Sequence, residues 1–463
     1  MQKIPVIVVF DIGKTNKKLL LFNEQYQVVY ELSKQFEEIK DEDGFACEDV
    51  DSVSKWIKDS FDTLSNKDQF DIKAVNFSAY GASFVYIDNA GNVVAPLYNY
   101  LKPYPEKLQH QFYQTYGGES TFAKHTASPI LGNLNSGLQL YLLKNEKPEL
   151  FKKVSFALHL PQYISYLFTN TAVTDITSIG CHTGLWDFNN NQYHHWVQAE
   201  QIDNLLAPVL PYSTVIRFTL NAKSYISGIG LHDSSAALIP YLTAFSSPFI
   251  LLSTGTWCIS LNPFNDSALT EEELHQDCLC YLSYQGKNVK ASRLFAGYEH
   301  EQQVKKLAEH FNKPLDYFIS VMYDDTIKCS GLTEDLKITE ENKQALVSFS
   351  SFADRSLNDF DLYEMAYHQL IFDIVQQQII STNLVLKNTP VKRIFVDGGF
   401  SKNVIFMNML AEAFSNIEIF AAAVPQASAL GAAMILHGYW NTQTLPSNII
   451  DIKLYTSTKN THL

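Results

Sequence analysis

A pair of apolar runs joined by a short polar turn occurs twice, about half a chain apart, and this repetition limits the fold more than any other feature. The first pair is "VVFDIGKTNKKLLLF" (8–22) and the second is "FILLSTGTWCISLN" (249–262). Each reads as a buried strand, a glycine-centred turn and an antiparallel partner. After the first come a third strand in "QVVYELSKQF", a helix in "DVDSVSKWIKDSFDTL" and a strand in "IKAVNFSA". In that helix Val53, Trp56, Ile57, Phe61 and Leu64 recur at helical spacing, with Asp51 or Ser52 expected as its cap. "NLNSGLQLYLLKN" and "LPQYISYLFTN" read as helices flanking the sheet, and "LHDSSAALIPYLTAFSSP" as a helix followed by a turn. After the second hairpin come a long helix "DLYEMAYHQLIFDIVQQQIISTNLVL", a strand "VKRIFVDGG", a helix "KNVIFMNMLAEAF", a strand "IEIFAA" and a helix "QASALGAAMILHG". Two hairpins of one design, each heading a mixed α/β unit, are the layout of an ancient duplication. No Pro- or Ser-rich linker separates the halves, so the expected domains are 1–240 and 241–463.

A chain of 463 residues is too long for one ordinary core, which also favours two domains. Its net charge of -14 argues against a general grip on nucleic acid or anionic membrane. An acidic protein of this kind binds ATP only through a local site with its own donors and metal. The six cysteines form no CxxC pair. Cys278 and Cys280 would share one face of a strand without making a metal site, so reduced thiols of a cytoplasmic enzyme are the expectation. The apolar run ending at Asp11 is too short for a signal peptide, and no segment approaches the roughly 20 apolar residues that cross a bilayer.

Four segments carry chemistry. In the first hairpin, Gly13 lets backbone approach a ligand, Thr15 and Asn16 add neutral donors, and Lys18 adds a cation. Asp11, at the strand's end, offers oxygens suited to magnesium, directly or through water. No GxxxxGK[ST] loop exists in the chain, and a plain hairpin with solvated lysines would look the same in isolation. "Ser253-Thr254-Gly255-Thr256-Trp257" places a second, hydroxyl-rich glycine turn at the equivalent point of the other half. "VDGGFSKN" ends a strand at Asp397-Gly398-Gly399, with Ser401 as a cap and Asn403 in the first turn of the next helix. Paired glycines there let a flat ring or ribose lie against backbone, though an ordinary strand-to-helix turn has the same look. "GLHDSSAA" (230–237) sets Asp233 before a run of small residues, as either an N-cap or a general base beside tight packing.

Taken in order, these motifs resemble the FGGY family of carbohydrate kinases over nearly the whole chain. "DIGKTNKK" is similar to the first phosphate motif, "STGTW" to the second, "DGGFSKN" to the adenosine motif, "PQASALGAA" to the connecting motif, and "GLHDSSAA" to the segment with the catalytic aspartate. The resemblance implies two RNase H-like domains of the actin/hexokinase superfamily around an inter-lobe cleft. It also implies ATP and Mg²⁺ as cofactors and a small-molecule ketose or polyol as partner, with no nucleic acid and no membrane, and it raises the expectation of a homodimer. Asp233 is then the base, and Asp11 holds the metal through water. Gly13, Thr15, Asn16, Lys18, Thr254, Gly255 and Thr256 take the phosphates, and Gly398, Gly399, Ser401 and Asn403 the adenosine.

"STGTW" and His232 are similar to both the L-rhamnulose and the L-fuculose kinases, and Thr15-Asn16 and "VTDITSIG" (173–180) are more similar to the fuculose branch, which together imply phosphorylation of a 6-deoxyketohexose at its C1 hydroxyl. Tyr80, Ser83, Tyr100, Lys102 and His232 are the candidate sugar contacts, although most of the 25 tyrosines in the chain must be structural. The chain departs from the family at several points. Tyr100-Leu101-Lys102-Pro103-Tyr104 stands where members for other sugars often carry a Trp-x-Asp-x-Arg patch, Tyr80 and Ser83 where rhamnulokinases tend to have Trp and Asp, Lys14 where a small residue is usual, and Gln426 where Glu is common. Other readings are a kinase for xylulose, ribulose or glycerol, a non-catalytic actin-like nucleotide switch, and a pseudokinase. His194-His195 and "EHE" (299–301) lack the spacing of a zinc site.

Overall fold

The computed structural model describes residues 3–330, 351–424, 426–446 and 448–456. The chain forms two compact units. The first is Met1–Ala244 together with 280–288 and 425–449, and the second is Phe245–Leu279, Val289–Val424 and Ile450–Leu463. Two later segments therefore return to the first unit, a connectivity that a single cut at 240 does not describe.

In the first unit, Ile4–Ile12 pairs antiparallel with Lys17–Asn23, which pairs antiparallel with Val28–Lys34. On its other side Ile4–Ile12 runs parallel to Phe70–Ala79, which in turn pairs with Lys223–Gly228 and, at its end, with Leu231–His232. The apolar runs are buried because both faces of the central strands are covered. Phe10, Trp56, Phe61 and Phe77 pack in one core with the helix Val50–Ser65. That helix is capped by Asp49, whose carboxylate accepts from Ser52 N–H at 3.0 Å. The expected caps, Asp51 and Ser52, fall inside the first turn because helical geometry begins earlier, at Val50.

The second unit repeats the plan. Phe249–Thr254 pairs antiparallel with Cys258–Asn262, which pairs antiparallel with Asn288–Leu294. Phe249–Thr254 also runs parallel to Arg393–Gly398, itself parallel to Glu418–Ala423. The long helix Tyr363–Leu386 lays Tyr367, Ile371 and Ile374 into a core with Val396 and Phe406. Each sheet therefore holds a run of three antiparallel strands followed by parallel ones, the RNase H-like order, with Val215–Leu220 added antiparallel at the edge of the first sheet and Cys278–Leu282 and Asp451–Tyr455 at the two edges of the second. The hairpin Val215–Leu220/Lys223–Gly228 is an element the sequence reading missed, since its strands mix Arg217, Thr219, Lys223 and Ser224 with apolar residues. No helix among the described residues is long and apolar enough to cross a membrane.

Candidate active site

In the first unit the parallel pairing sets Asp11 opposite Ser78, and the hairpin sets it opposite Lys18. Asp233 begins the helix Asp233–Ala244, immediately after the short strand Leu231–His232 that pairs with Ser78–Ala79. Two carboxylates are thus delivered to the same strand ends. Burial, and then the charge of Asp233, push the Asp11 carboxyl up to about 7, against the pull of Ser78 and Lys18. Burial pushes Asp233 up to about 6, opposed by Ser234, whose N–H donates to Oδ1 at 2.6 Å. Juxtaposed carboxylates with raised pKa values mark sites built to take a cation or a proton.

Asp233 is held from behind. His232 Nε2 lies 3.3 Å from Asp233 Oδ1, and burial drives the His232 imidazole down to about 3, so the ring is neutral. The His232 N–H donates to Thr177 Oγ1 at 3.0 Å, and Thr177 Oγ1 donates to Asp175 Oδ2 at 2.5 Å. Asp175 also takes Gln162 Nε2 at 3.0 Å. The segment "VTDITSIG" therefore fixes the backbone that presents Asp233. The small residues after Asp233 serve close helix contact: a Cβ on Gly431 would stand 1.9 Å from the Ala236 carbonyl oxygen.

The first turn is held by charge. Gly13 N–H donates to the Asn16 carbonyl at 3.0 Å, and Thr15 and Asn16 are exposed. Lys18 donates to Gln426 Oε1 at 2.9 Å, so the residue in the usual Glu position receives the lysine as an amide. Lys17, which sequence reasoning passed over, is buried and paired with buried Glu48. Glu48 also accepts from the Tyr80 hydroxyl at 2.5 Å. Tyr80 meets Tyr100 edge to face at 6.2 Å, and burial, then the charge of Asp233, raise the Tyr100 phenol. Ser83 is buried, its hydroxyl facing Tyr80. The structure thus joins Tyr80, Ser83 and Tyr100 to the turn and to Asp233. Lys102 is committed elsewhere: its ammonium lies 2.6 Å from both Asp41 and Asp43, against the rings of Phe45 and Tyr98.

In the second unit, Gly255 and Thr256 are exposed at the turn, where Gly255 N–H donates to the Trp257 carbonyl at 2.9 Å. Thr254 is buried and ties two motifs together. Its hydroxyl donates to the Asp397 carbonyl at 2.5 Å and accepts from Phe400 N–H at 3.0 Å, while its carbonyl accepts from Gly399 N–H at 2.8 Å. Gly398 has φ +90°, and a Cβ there would lie 2.0 Å from the Thr254 carbonyl oxygen, so only glycine fits. The helix cap is Asn403, not Ser401: Asn403 Oδ1 accepts from Ile405 and Phe406 N–H, and its amide donates to Tyr367 Oη at 2.7 Å. Burial of Phe400 winds residues 400–402 into a 3₁₀ turn, leaving Ser401 to donate to the Gly398 carbonyl at 2.8 Å. His300 joins the same network through Tyr367 Oη at 3.0 Å.

Comparison with known proteins gives the family. Residues 6–233 match the N-terminal domain, and residues 355–437 the C-terminal domain, of the FGGY family of carbohydrate kinases. The chain belongs to that family. It is 22% identical over 273 residues to a rhamnulokinase of Yersinia pestis, an alignment covering 55% of this chain and 53% of that protein, so it spans about half the length of such curated relatives. It is 19% identical over 457 residues to a rhamnulokinase of Oceanobacillus iheyensis, covering 92% of this chain and 91% of that one. Among solved structures, a carbohydrate kinase from Novosphingobium aromaticivorans superposes with TM-score 0.78 at 18% identity, covering 98% and 95% of the two chains. A ligand-bound xylulose kinase from Lactobacillus acidophilus superposes with TM-score 0.76 at 18% identity, covering 98% and 94%. The fold is the two-domain, actin/hexokinase-like fold of these enzymes.

Proposed function

We propose that the protein is an ATP-dependent kinase that phosphorylates the primary C1 hydroxyl of a 6-deoxyketohexose such as L-rhamnulose or L-fuculose. The observation that carries this reading is the juxtaposition of Asp11 and Asp233 beside a lysine-rich glycine turn. A buried carboxylate whose ionisation a second carboxylate opposes suits a divalent cation, and their oxygens are donors that magnesium accepts. Asp11 would hold Mg²⁺ through water, and the ion would neutralise charge on the transferring phosphoryl group. Phosphoryl transfer asks mainly for positioning and charge stabilisation. In this reading Gly13, Thr15, Asn16 and Lys18 of the first turn, with Thr254, Gly255 and Thr256 of the second, address the phosphates. Thr254 acts by shaping its turn, because its hydroxyl is already shared between Asp397 and Phe400. Gly398 and Gly399 receive the adenosine, with Ser401 and Asn403 fixing the turn and the helix that follow. Asp233 accepts the proton of the sugar hydroxyl as it attacks, and neutral His232 with Tyr80, Ser83 and Tyr100 orients the sugar.

The rhamnulokinase relatives support the 6-deoxyketohexose. A second sugar class is favoured by one observation: the cation expected to contact the substrate, Lys102, is held by Asp41 and Asp43. A coupled ADP-release assay over L-rhamnulose, L-fuculose, xylulose, ribulose and glycerol separates these readings. ATP hydrolysis that no sugar stimulates would replace them with a nucleotide switch. General-base help is worth roughly 10²–10⁴-fold, so Asp233→Ala is expected to lower kcat by about that factor while ATP binding persists. An unchanged kcat removes Asp233 from the mechanism.

A further inference from the structure

The fold gathers a thiol and two imidazoles that neither the hairpins nor the phosphate turns account for. One ligand atom each from Cys181, His182 and His232 lies within 4.8 Å of the others, and all three residues are buried. No sequence spacing predicts the group. Cys181 and His182 follow the short helix Ile176–Ile179, whereas His232 arrives on its own strand some fifty residues later. A Cβ on Gly81 would stand 2.9 Å from the His232 ring and 3.0 Å from Cys181 Sγ, so the two side chains share one small volume. Tyr281 closes it, stacked on His232 at 5.5 Å and edge-on to His182 at 5.9 Å.

Both imidazoles are presented as metal ligands are. His182 Nδ1 lies 3.1 Å from the Leu134 carbonyl and must donate to it, which puts the lone pair on Nε2. His232 has the Asp233 carboxylate 3.3 Å from Nε2, the outer-shell partner that orients metal-bound histidines. Its Nδ1 has no hydrogen-bond partner among the described residues, although the side chain is buried. A buried polar atom left unpaired in this way points to a missing ligand. Burial holds the Cys181 thiol protonated, with Sγ donating to the Ser178 carbonyl at 3.3 Å, so an arriving cation must displace that proton. Sulfur and imidazole donors select zinc-type cations over magnesium, and three protein ligands leave a fourth position open.

We propose that Cys181, His182 and His232 form a binding site for a soft divalent cation of the zinc type, and that filling it switches off catalysis at the neighbouring Asp233. On binding, a bond forms between the metal and Cys181 sulfur, and the thiol proton leaves to solvent. His232 is then held on the metal and lost to the sugar. The inhibitory half rests on the function proposed above; the binding half stands alone.

The test uses the full chain. Titration with Co²⁺ is expected to give thiolate-to-cobalt charge-transfer absorption, lost in Cys181→Ser and unchanged in the control Cys329→Ser. Zn²⁺ is expected to bind at one site per chain by equilibrium dialysis. It should inhibit ketose-dependent ADP release reversibly by chelator, with Cys181→Ser and His182→Asn keeping basal turnover. Losing a direct ligand should weaken Zn²⁺ by more than the roughly 10–100-fold that outer-shell losses cost. If Cys181→Ser does not fold, His182→Asn carries the comparison. Absence of the thiolate band, or equal Zn²⁺ affinity in wild type and both variants, overturns the site. Binding without inhibition overturns the switch alone. Because the cobalt spectrum needs no turnover, it reports on the metal site even in a chain inactive on every sugar.

Discussion

The turn at 13–16 and the turn at 255–257 interrupt hairpins of the same design, yet different forces hold them. Around the first, every lysine has an acceptor: Lys14 with Glu38, Lys17 with Glu48, and Lys18 with Gln426. Around the second, backbone carbonyls, the Thr254 hydroxyl and Gly398 lock together by shape. The two halves thus hold turns of one design by different means, the first by charge pairing and the second by close packing. The first should therefore respond to charge deletion and pH, and the second to any added atom.

Glu48→Ala should have the largest effect, because it strands a buried lysine. A cost of about 3–5 kcal/mol is expected by denaturant unfolding, with most of it recovered when Lys17→Met is added to Glu48→Leu. A single variant of wild-type stability would mean that the first turn is not held by charge. Gly398→Ala comes next, at roughly 2–3 kcal/mol, since it adds a carbon against the Thr254 carbonyl in a left-handed conformation. Its ATP affinity, read by calorimetry, should fall with it; tight ATP binding in a folded Gly398→Ala protein would break the shape argument.

Asp11→Asn is smaller and opposite in sign. With a folded value of about 7 against 3.8 for the free side chain, Asp11 keeps a proton that the unfolded chain has lost. Its contribution to stability is present below about pH 4 and is lost as pH rises through 7. Removing the charge should raise the metal-free Tm at pH 8 by roughly 2–4 °C and flatten the pH dependence, at the cost of kinase activity. A Tm that falls at pH 8 would contradict the carboxylate pairing. Smallest is Gly13→Ala, where φ is ordinary and the nearest atom to an added Cβ, the Asn16 carbonyl oxygen, lies 3.1 Å away. A change of about 0.5 kcal/mol is expected, and a loss matching that of Gly398→Ala would erase the contrast between the turns.

The strands and long helices were legible because their apolar runs are continuous and glycine punctuates them. Asp11, Asp233 and the glycine turns were legible because local chemistry and chain order both mark them. The Lys17–Glu48–Tyr80 network was not, since its partners lie far apart in sequence and each alone looks like an ordinary solvated side chain. Cap assignments slipped by a few residues, from Asp51 to Asp49 and from Ser401 to Asn403, because several good caps stood side by side and only tertiary packing chose among them. The Cys181–His182–His232 group was hidden for the same reason as the lysine network: the sheet, not the spacing, assembles it.

The return of residues 425–449 to the first unit bears on how the protein is made. Helix Ala427–Met434 covers the small-residue face of Asp233–Ala244, so that face stays bare until a segment almost two hundred residues further along the chain has been made. Until then the helix that begins with Asp233 lacks the partner that packs against its small residues, so the acid at 233 is fixed in its final setting only late in folding.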